Sequence, residues 1–228
     1  MPIFRLDNEL VFPDPSYAEE EGILAIGGDL SVDRLILAYA NGIFPWPRKG
    51  APLLWWSPDP RMVLYPDDLI ISHSLKQLIK SNKYSITYDK DFGSVIKHCA
   101  IIPRMGQDGT WITRDMIKAY LKLYREGFAH SVETWYEGEL VGGLYGVSLG
   151  KVFFGESMFF KMRDASKFAF YHLVQLLKGW NFELIDAQQE TDHMKSMGAK
   201  SVPRDVFMQQ LENAVSQPTY KGNWNKYL

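Results

Sequence analysis

Residues 131–155, SVETWYEGELVGGLYGVSLGKVFFG, decide the fold. Residues 131–135 and 139–147 carry β-branched and aromatic side chains, and Tyr136-Glu137-Gly138 separates them. Ser148-Leu149-Gly150 turns the chain into a third run over 151–155. Short apolar runs broken by Gly-containing turns predict a three-stranded antiparallel meander. Apolar positions at Phe168, Tyr171, Val174 and Leu177, with Phe170 and Leu173 beside them, recur at helical spacing and predict a helix over 165–178. A strand over 182–186 and short helices over 194–198 and 205–214 complete the order β-β-β-α-β-α. That order suits an α+β acyltransferase core with a mixed sheet.

Outward toward the N-terminus, residues 1–22 are Pro-rich and acidic and read as an irregular arm. Ser31 is placed to cap a helix that Gly42 stops. Residues 43–61, IFPWPRKGAPLLWWSPDPR, are too rich in proline for a regular helix and read as a rigid, aromatic-lined loop. A short strand over 62–65 stands behind it. Residues 74–81, 91–99 and 114–126 read as helices, the last closed by Gly127, and 84–88 as a strand. The domain boundary is expected within 62–68, giving a small unit over 1–64 and a larger one over 65–228. The tail from about 217 reads as an arm that packs elsewhere.

The chain has 228 residues, 46% of them hydrophobic, which is enough for one large or two small cores. A formal net charge of −2 gives no general affinity for nucleic acid, so any RNA contact needs a local basic patch. One cysteine, Cys99, permits no internal disulfide and fits a reducing compartment. The start lacks the apolar stretch of a signal peptide, and no run approaches the roughly 18 apolar residues of a membrane span. A soluble, cytoplasmic protein is expected.

Several chemistries lack their residues. There is no P-loop and no G-x-S-x-G elbow. The five histidines have no metal-ligand spacing, and one cysteine makes no zinc cluster. What remains is polar and lies at strand ends: Glu156 just past the third strand of the meander, then Asp186 and Gln188 at the end of the next. Two apart, Asp186 and Gln188 share a face if that strand continues. A polar pocket and a set of turn or cap residues are both open from pattern alone. Lys76, Lys80 and Lys83 fall at i, i+4 and i+7, on one face if the helix reaches Lys83, either as a phosphate-binding stripe or as an ordinary solvated one.

Six blocks carry a resemblance. They are GILAIGGDL at 22–30, IFPW at 43–46, WWSPDPR at 55–61, GTWIT at 109–113, GESMF at 155–159 and LIDAQ at 184–188. Together, and in this order, they resemble the leucyl/phenylalanyl-tRNA–protein transferases over about residues 13–205. The resemblance implies a small N-terminal domain followed by an acetyltransferase-like (GNAT) domain with a mixed sheet. It implies transfer of Leu or Phe, and also Met, from aminoacyl-tRNA to proteins bearing N-terminal Lys or Arg, which marks them for degradation. No metal or other cofactor is implied, and a monomer is expected.

By the same resemblance, Trp46 and Trp111 would stack on the terminal adenosine of the donor. Leu144, Phe153, Met158, Phe170, Leu173 and Ile185 would form the slot for its side chain. Lys76, Lys80 and Lys83 would touch the tRNA body. Asp186 would favour the attacking amine electrostatically, or serve as base if desolvated, and Glu156 would pair with the acceptor's basic side chain. Gln188 is expected only to position by hydrogen bonding, because a neutral carboxamide has no useful proton affinity near pH 7. Two rivals are an acyl-CoA-dependent N-acyltransferase and a non-catalytic RNA-binding module. The first would place a Gly-rich turn before the long helix, yet residues 162–167, MRDASK, contain no glycine.

Overall fold

A computed structural model describes residues 3–47, 52–102 and 111–228. The first part of the chain holds β1 (Phe4–Leu6), β2 (Ile23–Gly27), α1 (Val32–Ala40), β3 (Phe44–Pro45) and β4 (Leu54–Trp56). Then follow β5 (Arg61–Leu64), α2 (His73–Lys80), β6 (Ser85–Tyr88), α3 (Phe92–Ile101) and α4 (Arg114–Arg125). The meander is β7 (Ala129–Tyr136), β8 (Glu139–Leu149) and β9 (Val152–Phe160). The chain continues through α5 (Ala165–Gly179), β10 (Leu184–Gln188), α6 (Asp192–Ser196), β11 (Lys200–Val202) and α7 (Arg204–Val215).

Helix starts are chemically marked. The side chains of Ser31, Ser72, Asp91 and Thr113 each accept a backbone N–H in the first turn of α1, α2, α3 and α4. Gly42 stops α1 with a φ of +67°, a conformation open to glycine at no steric cost.

Four strands form a small sheet in the order β1-β2-β4-β3, and seven form a large one in the order β11-β5-β10-β9-β8-β7-β6. The large sheet is mixed, with β10 running parallel to β9 and antiparallel to β5. Helices α3 and α4 cover one face, burying Val95, Ile96, Met116 and Tyr120 against Tyr145, Phe154 and Phe159. Helix α5 covers the other, burying Phe170, Leu173 and Val174 against Leu144, Phe153 and Ile185. These faces give an α+β fold of two apolar layers around one sheet.

Two expectations need correction. Residues 43–61 are not all loop, because β3 and β4 pair there, with Phe44 opposite Trp56 and Pro45 opposite Trp55. Pro45 is tolerated because β3 is the sheet edge, where a missing N–H breaks no ladder. The N-terminal arm is also partly ordered, since β1 pairs in parallel with β2. β5 lies in the large sheet, between β11 and β10.

The tail after α7 packs on the large sheet. Trp224 is buried and stacks on His130, ring centroids 3.9 Å apart, and its backbone N–H donates to Asp89 Oδ2 at 2.8 Å. Among the described residues, no helix is long and apolar enough to cross a membrane.

Candidate active site

Glu156 lies inside β9, not past it. Across the pairing with β8, Ser157 faces Tyr145 and Gly155 faces Gly146, so Glu156 is the extra residue of a β-bulge. Gly146 makes the close approach possible, because a Cβ there would meet the Phe154 carbonyl oxygen at 2.2 Å. The bulge turns the Glu156 side chain inward, where it is 8% exposed.

There it meets two buried tyrosines. Tyr39 Oη, from α1, donates to Glu156 Oε1 at 2.7 Å, and Tyr120 Oη, from α4, donates to Oε2 at 2.8 Å. The two tyrosine oxygens also lie in contact with each other. Gln188 Nε2 donates to Glu156 Oε1 at 2.9 Å. Burial pushes the Glu156 carboxyl up to about 7, against the opposing pull of these three donors, and the nearby Asp186 charge pushes the same way as burial. Burial and the Glu156 charge together hold both tyrosine hydroxyls well above their ordinary range.

Asp186 has a different environment from the one expected. It is fully buried and paired with Arg61, Nε to Oδ1 at 2.8 Å and Nη2 to Oδ2 at 2.6 Å. Its Oδ1 also accepts the backbone N–H of Gln188 at 2.8 Å. With both oxygens engaged and the charge neutralised by a guanidinium, Asp186 does not face an incoming amine. The shared face with Gln188 is lost as well. The pairing with β5 shifts between the two residues, leaving Ala187 as a bulge, and Gln188 takes a φ of +63°. Arg61 is itself clamped, since its Nη1 donates to Gly42 O at 2.9 Å and its guanidinium lies over the rings of Phe44 and Phe207.

Beside Glu156 opens a cavity of about 920 Å³. Leu144, Phe153, Met158, Phe170, Leu173 and Ile185 all line it, and so does Glu156. Sequence reasoning missed His193 and Met194 on the same wall. It also missed Tyr39, Tyr120 and Arg61. The tyrosines did carry a signal: each sits on the buried face of its helix, Tyr39 with Leu35 and Ala38, Tyr120 with Met116 and Leu123. A buried tyrosine hydroxyl demands a hydrogen-bond partner, which points to a buried polar group nearby.

Trp46 and Trp111 are half-buried and are not among the described residues on the cavity wall. Trp46 packs edge-on against Trp56, ring centroids 5.6 Å apart. Gly109 and Thr110 lie outside the described residues. Lys76, Lys80 and Lys83 are exposed, but α2 ends at Lys80 and Asn82 turns left-handed at φ +52°. The expected three-lysine helical face is thereby corrected to two, with Lys83 beyond the turn and its Nζ over Tyr84 and Tyr136.

An apolar cavity with one buried carboxyl at its wall is the kind of site that holds an apolar acyl group beside a proton-carrying side chain, as group-transfer enzymes require. The comparisons make the class specific. Residues 63–212 match the family described as leucyl/phenylalanyl-tRNA protein transferase, and residues 28–59 match that family's N-terminal domain. The leucyl/phenylalanyl-tRNA–protein transferase of Syntrophobacter fumaroxidans is 52% identical over 224 residues, covering 98% of this chain and 96% of that protein. The protein of the same name from Anaeromyxobacter sp. (strain Fw109-5) is 53% identical over 226 residues, covering 99% of this chain and 96% of that one. Among solved structures, a GCN5-related N-acetyltransferase from Kribbella flavida matches with 8% identity and a TM-score of 0.33, covering 73% of this chain and 59% of its own. The chain belongs to the leucyl/phenylalanyl-tRNA–protein transferase family and is a transferase.

Proposed function

We propose that this enzyme moves leucine or phenylalanine, and also methionine, from aminoacyl-tRNA to the α-amine of proteins that begin with Lys or Arg. The product is a peptide bond, and the added residue marks the acceptor for degradation in the cytoplasm. Family membership supports the reaction type. The observation that carries the finer reading is the cavity, whose wall joins Phe153, Phe170, Leu173 and Ile185 to the adaptable Met158. Aromatic and thioether walls accept both a branched and a ring side chain.

The donor ester is already activated, so the enzyme has three tasks. It must hold two substrates together, favour a neutral attacking amine and manage its proton. Leu144 and the five residues named with it would hold the aminoacyl side chain. Trp46 and Trp111 would stack on the terminal adenosine. Lys76, Lys80 and, separately, Lys83 would meet phosphates of the tRNA body, a contact indifferent to sequence. In its ionised form the Glu156 carboxyl on the cavity wall would also attract an acceptor whose first side chain is cationic, through its field rather than by direct pairing. Asp186 acts through the backbone of Gln188, and Gln188 in turn orients Glu156.

The test is incubation with labelled Leu-tRNA and a peptide beginning with Arg, scored as label in the peptide. The same peptide beginning with Asp should remain unlabelled. Equal labelling of both peptides would remove the acceptor preference, and no labelling of either would remove the reaction.

A further inference from the structure

Glu156, Tyr39 and Tyr120 close a ring of three oxygen–oxygen contacts: tyrosine to tyrosine, Tyr39 to Oε1 and Tyr120 to Oε2. Each contact needs one hydrogen. The two tyrosines supply two, and a carboxylate supplies none. With Glu156 ionised, one contact of the ring has no hydrogen. With Glu156 protonated, every contact is filled: Oε2–H donates to Tyr120, Tyr120 to Tyr39, and Tyr39 to Oε1. Oε1 then keeps a second lone pair for Gln188 Nε2 at 2.9 Å. The cluster is thus built to accommodate one proton more than the carboxylate form carries. The same carboxyl lines the cavity that would hold the donor's acyl group.

We infer that Glu156, backed by Tyr39 and Tyr120, is the proton acceptor of the transfer, taking the proton of the attacking amine and returning it to the leaving ribose oxygen. The inference rests on the aminoacyl transfer proposed above. The step balances. The amine nitrogen bonds to the acyl carbon, and its proton, strongly acidic once that bond forms, passes to Glu156. The ester C–O bond then breaks, and the ribose oxygen recovers the proton as a hydroxyl. No proton is gained or lost overall. Glu156 is the catalytic residue, while Tyr39, Tyr120 and Gln188 are positioning residues.

The surroundings are consistent with exchange near neutral pH. Facing the carboxyl are Tyr39 from α1, Tyr120 from α4, and Asp186 with its Arg61 partner from β10 and β5, while Tyr145 from β8 acts on the two tyrosines. Burial disfavours its charge and the three donors favour it, leaving the group at about 7, a value suited to taking and giving a proton.

Two measurements test this. Infrared titration of the free enzyme should show a protonated-carboxyl band that disappears as pH rises through neutrality and is absent from Glu156→Gln. Single-turnover transfer from Leu-tRNA to an Arg-peptide should slow by about 100-fold or more in Glu156→Gln, with the donor KM little changed. Tyr39→Phe and Tyr120→Phe each break the ring and change the hydrogen bonding of the Glu156 carboxyl, so the acid limb of the rate should shift along the pH axis while the alkaline plateau survives. A merely structural role for the tyrosines would lower the plateau and leave the limb in place. The inference is overturned by absence of the band, by an unmoved limb in both tyrosine variants, or by a Glu156→Gln enzyme at the wild-type plateau. A wild-type enzyme inactive on aminoacyl-tRNA would instead overturn the reaction itself.

Discussion

Arg61 and Asp186 meet through two hydrogen bonds of 2.8 and 2.6 Å, with neither side chain reaching solvent. The pair joins three parts of the molecule. Arg61 holds the Gly42 carbonyl and lies between the rings of Phe44 and Phe207, while Asp186 holds the backbone of Gln188. A neutral side chain at 186 leaves a guanidinium buried without its counter-charge. Asp186→Asn should lower the unfolding free energy by about 3–5 kcal/mol, read from urea denaturation. Combining Asp186→Leu with Arg61→Met should recover most of that stability while transfer stays slow, because the support of Gln188 is gone. Full recovery of transfer would mean the pair is structural only.

The Glu156 carboxyl makes the protein's stability depend on pH in a defined direction. Its folded value of about 7 lies above the ordinary 4.5, so the folded state binds more protons than the unfolded chain between those limits. Its contribution is therefore fully present below 4.5 and is lost as pH rises through 7. At 1.36 kcal/mol per pH unit the loss is on the order of 3 kcal/mol. Relative to Glu156→Gln, the wild type should lose this much between pH 4.5 and 7 and nothing further above it, by chemical denaturation across that range. Parallel pH profiles for the two proteins would contradict the assignment.

Stacking by Trp111 should be visible with donors of different size. Base–aromatic stacking is worth about 1–3 kcal/mol, so Trp111→Ala should raise the KM by about 5- to 150-fold. The rise should be the same for full aminoacyl-tRNA and for a minimal aminoacyl-adenosine, since both carry the base. Unchanged use of the minimal donor would take Trp111 out of the donor site. Trp46→Ala is expected to behave likewise.

The lysines should separate the tRNA body from its end. Replacing Lys76 and Lys80 by Ala should raise the KM for full tRNA and flatten its dependence on salt by about 0.7–0.9 in log–log slope per lost phosphate contact. Minimal donors should be unaffected. Lys83 stands beyond the end of α2, so its replacement should act additively with theirs. An equal loss with both donors would indicate damage to the fold.

Much of this architecture can be read from the residues, and the exceptions have physical causes. Helices α1, α3 and α4 are legible because their capping side chains and apolar faces agree. The length of β9 is not legible. GESMFF follows no two-residue alternation, because Phe153 and Met158 face one core while Phe154 and Phe159 face the other. Side chains five apart share a face only where a bulge intervenes. The departure of Asp186 from its expected role is of the same kind, since the Ala187 bulge separates two residues that simple alternation places together. The pairing of Arg61 with Asp186 spans 125 positions and leaves no local trace in the chain. The six cavity side chains followed from family resemblance, because an apolar residue on a sheet face looks the same whether it meets a helix or an opening.

The bulge at Glu156 also bears on how this protein can change. On either side of it, β9 tolerates exchange of one apolar residue for another at modest cost, as buried strands generally do. Chain length is a different matter. Deleting one residue between Phe154 and Ser157 would restore simple alternation and turn every later side chain of the strand over, exchanging Met158 and Phe159 between the two cores they now pack against. This segment can therefore drift in composition while its residue count stays fixed, and insertions or deletions belong outside β9.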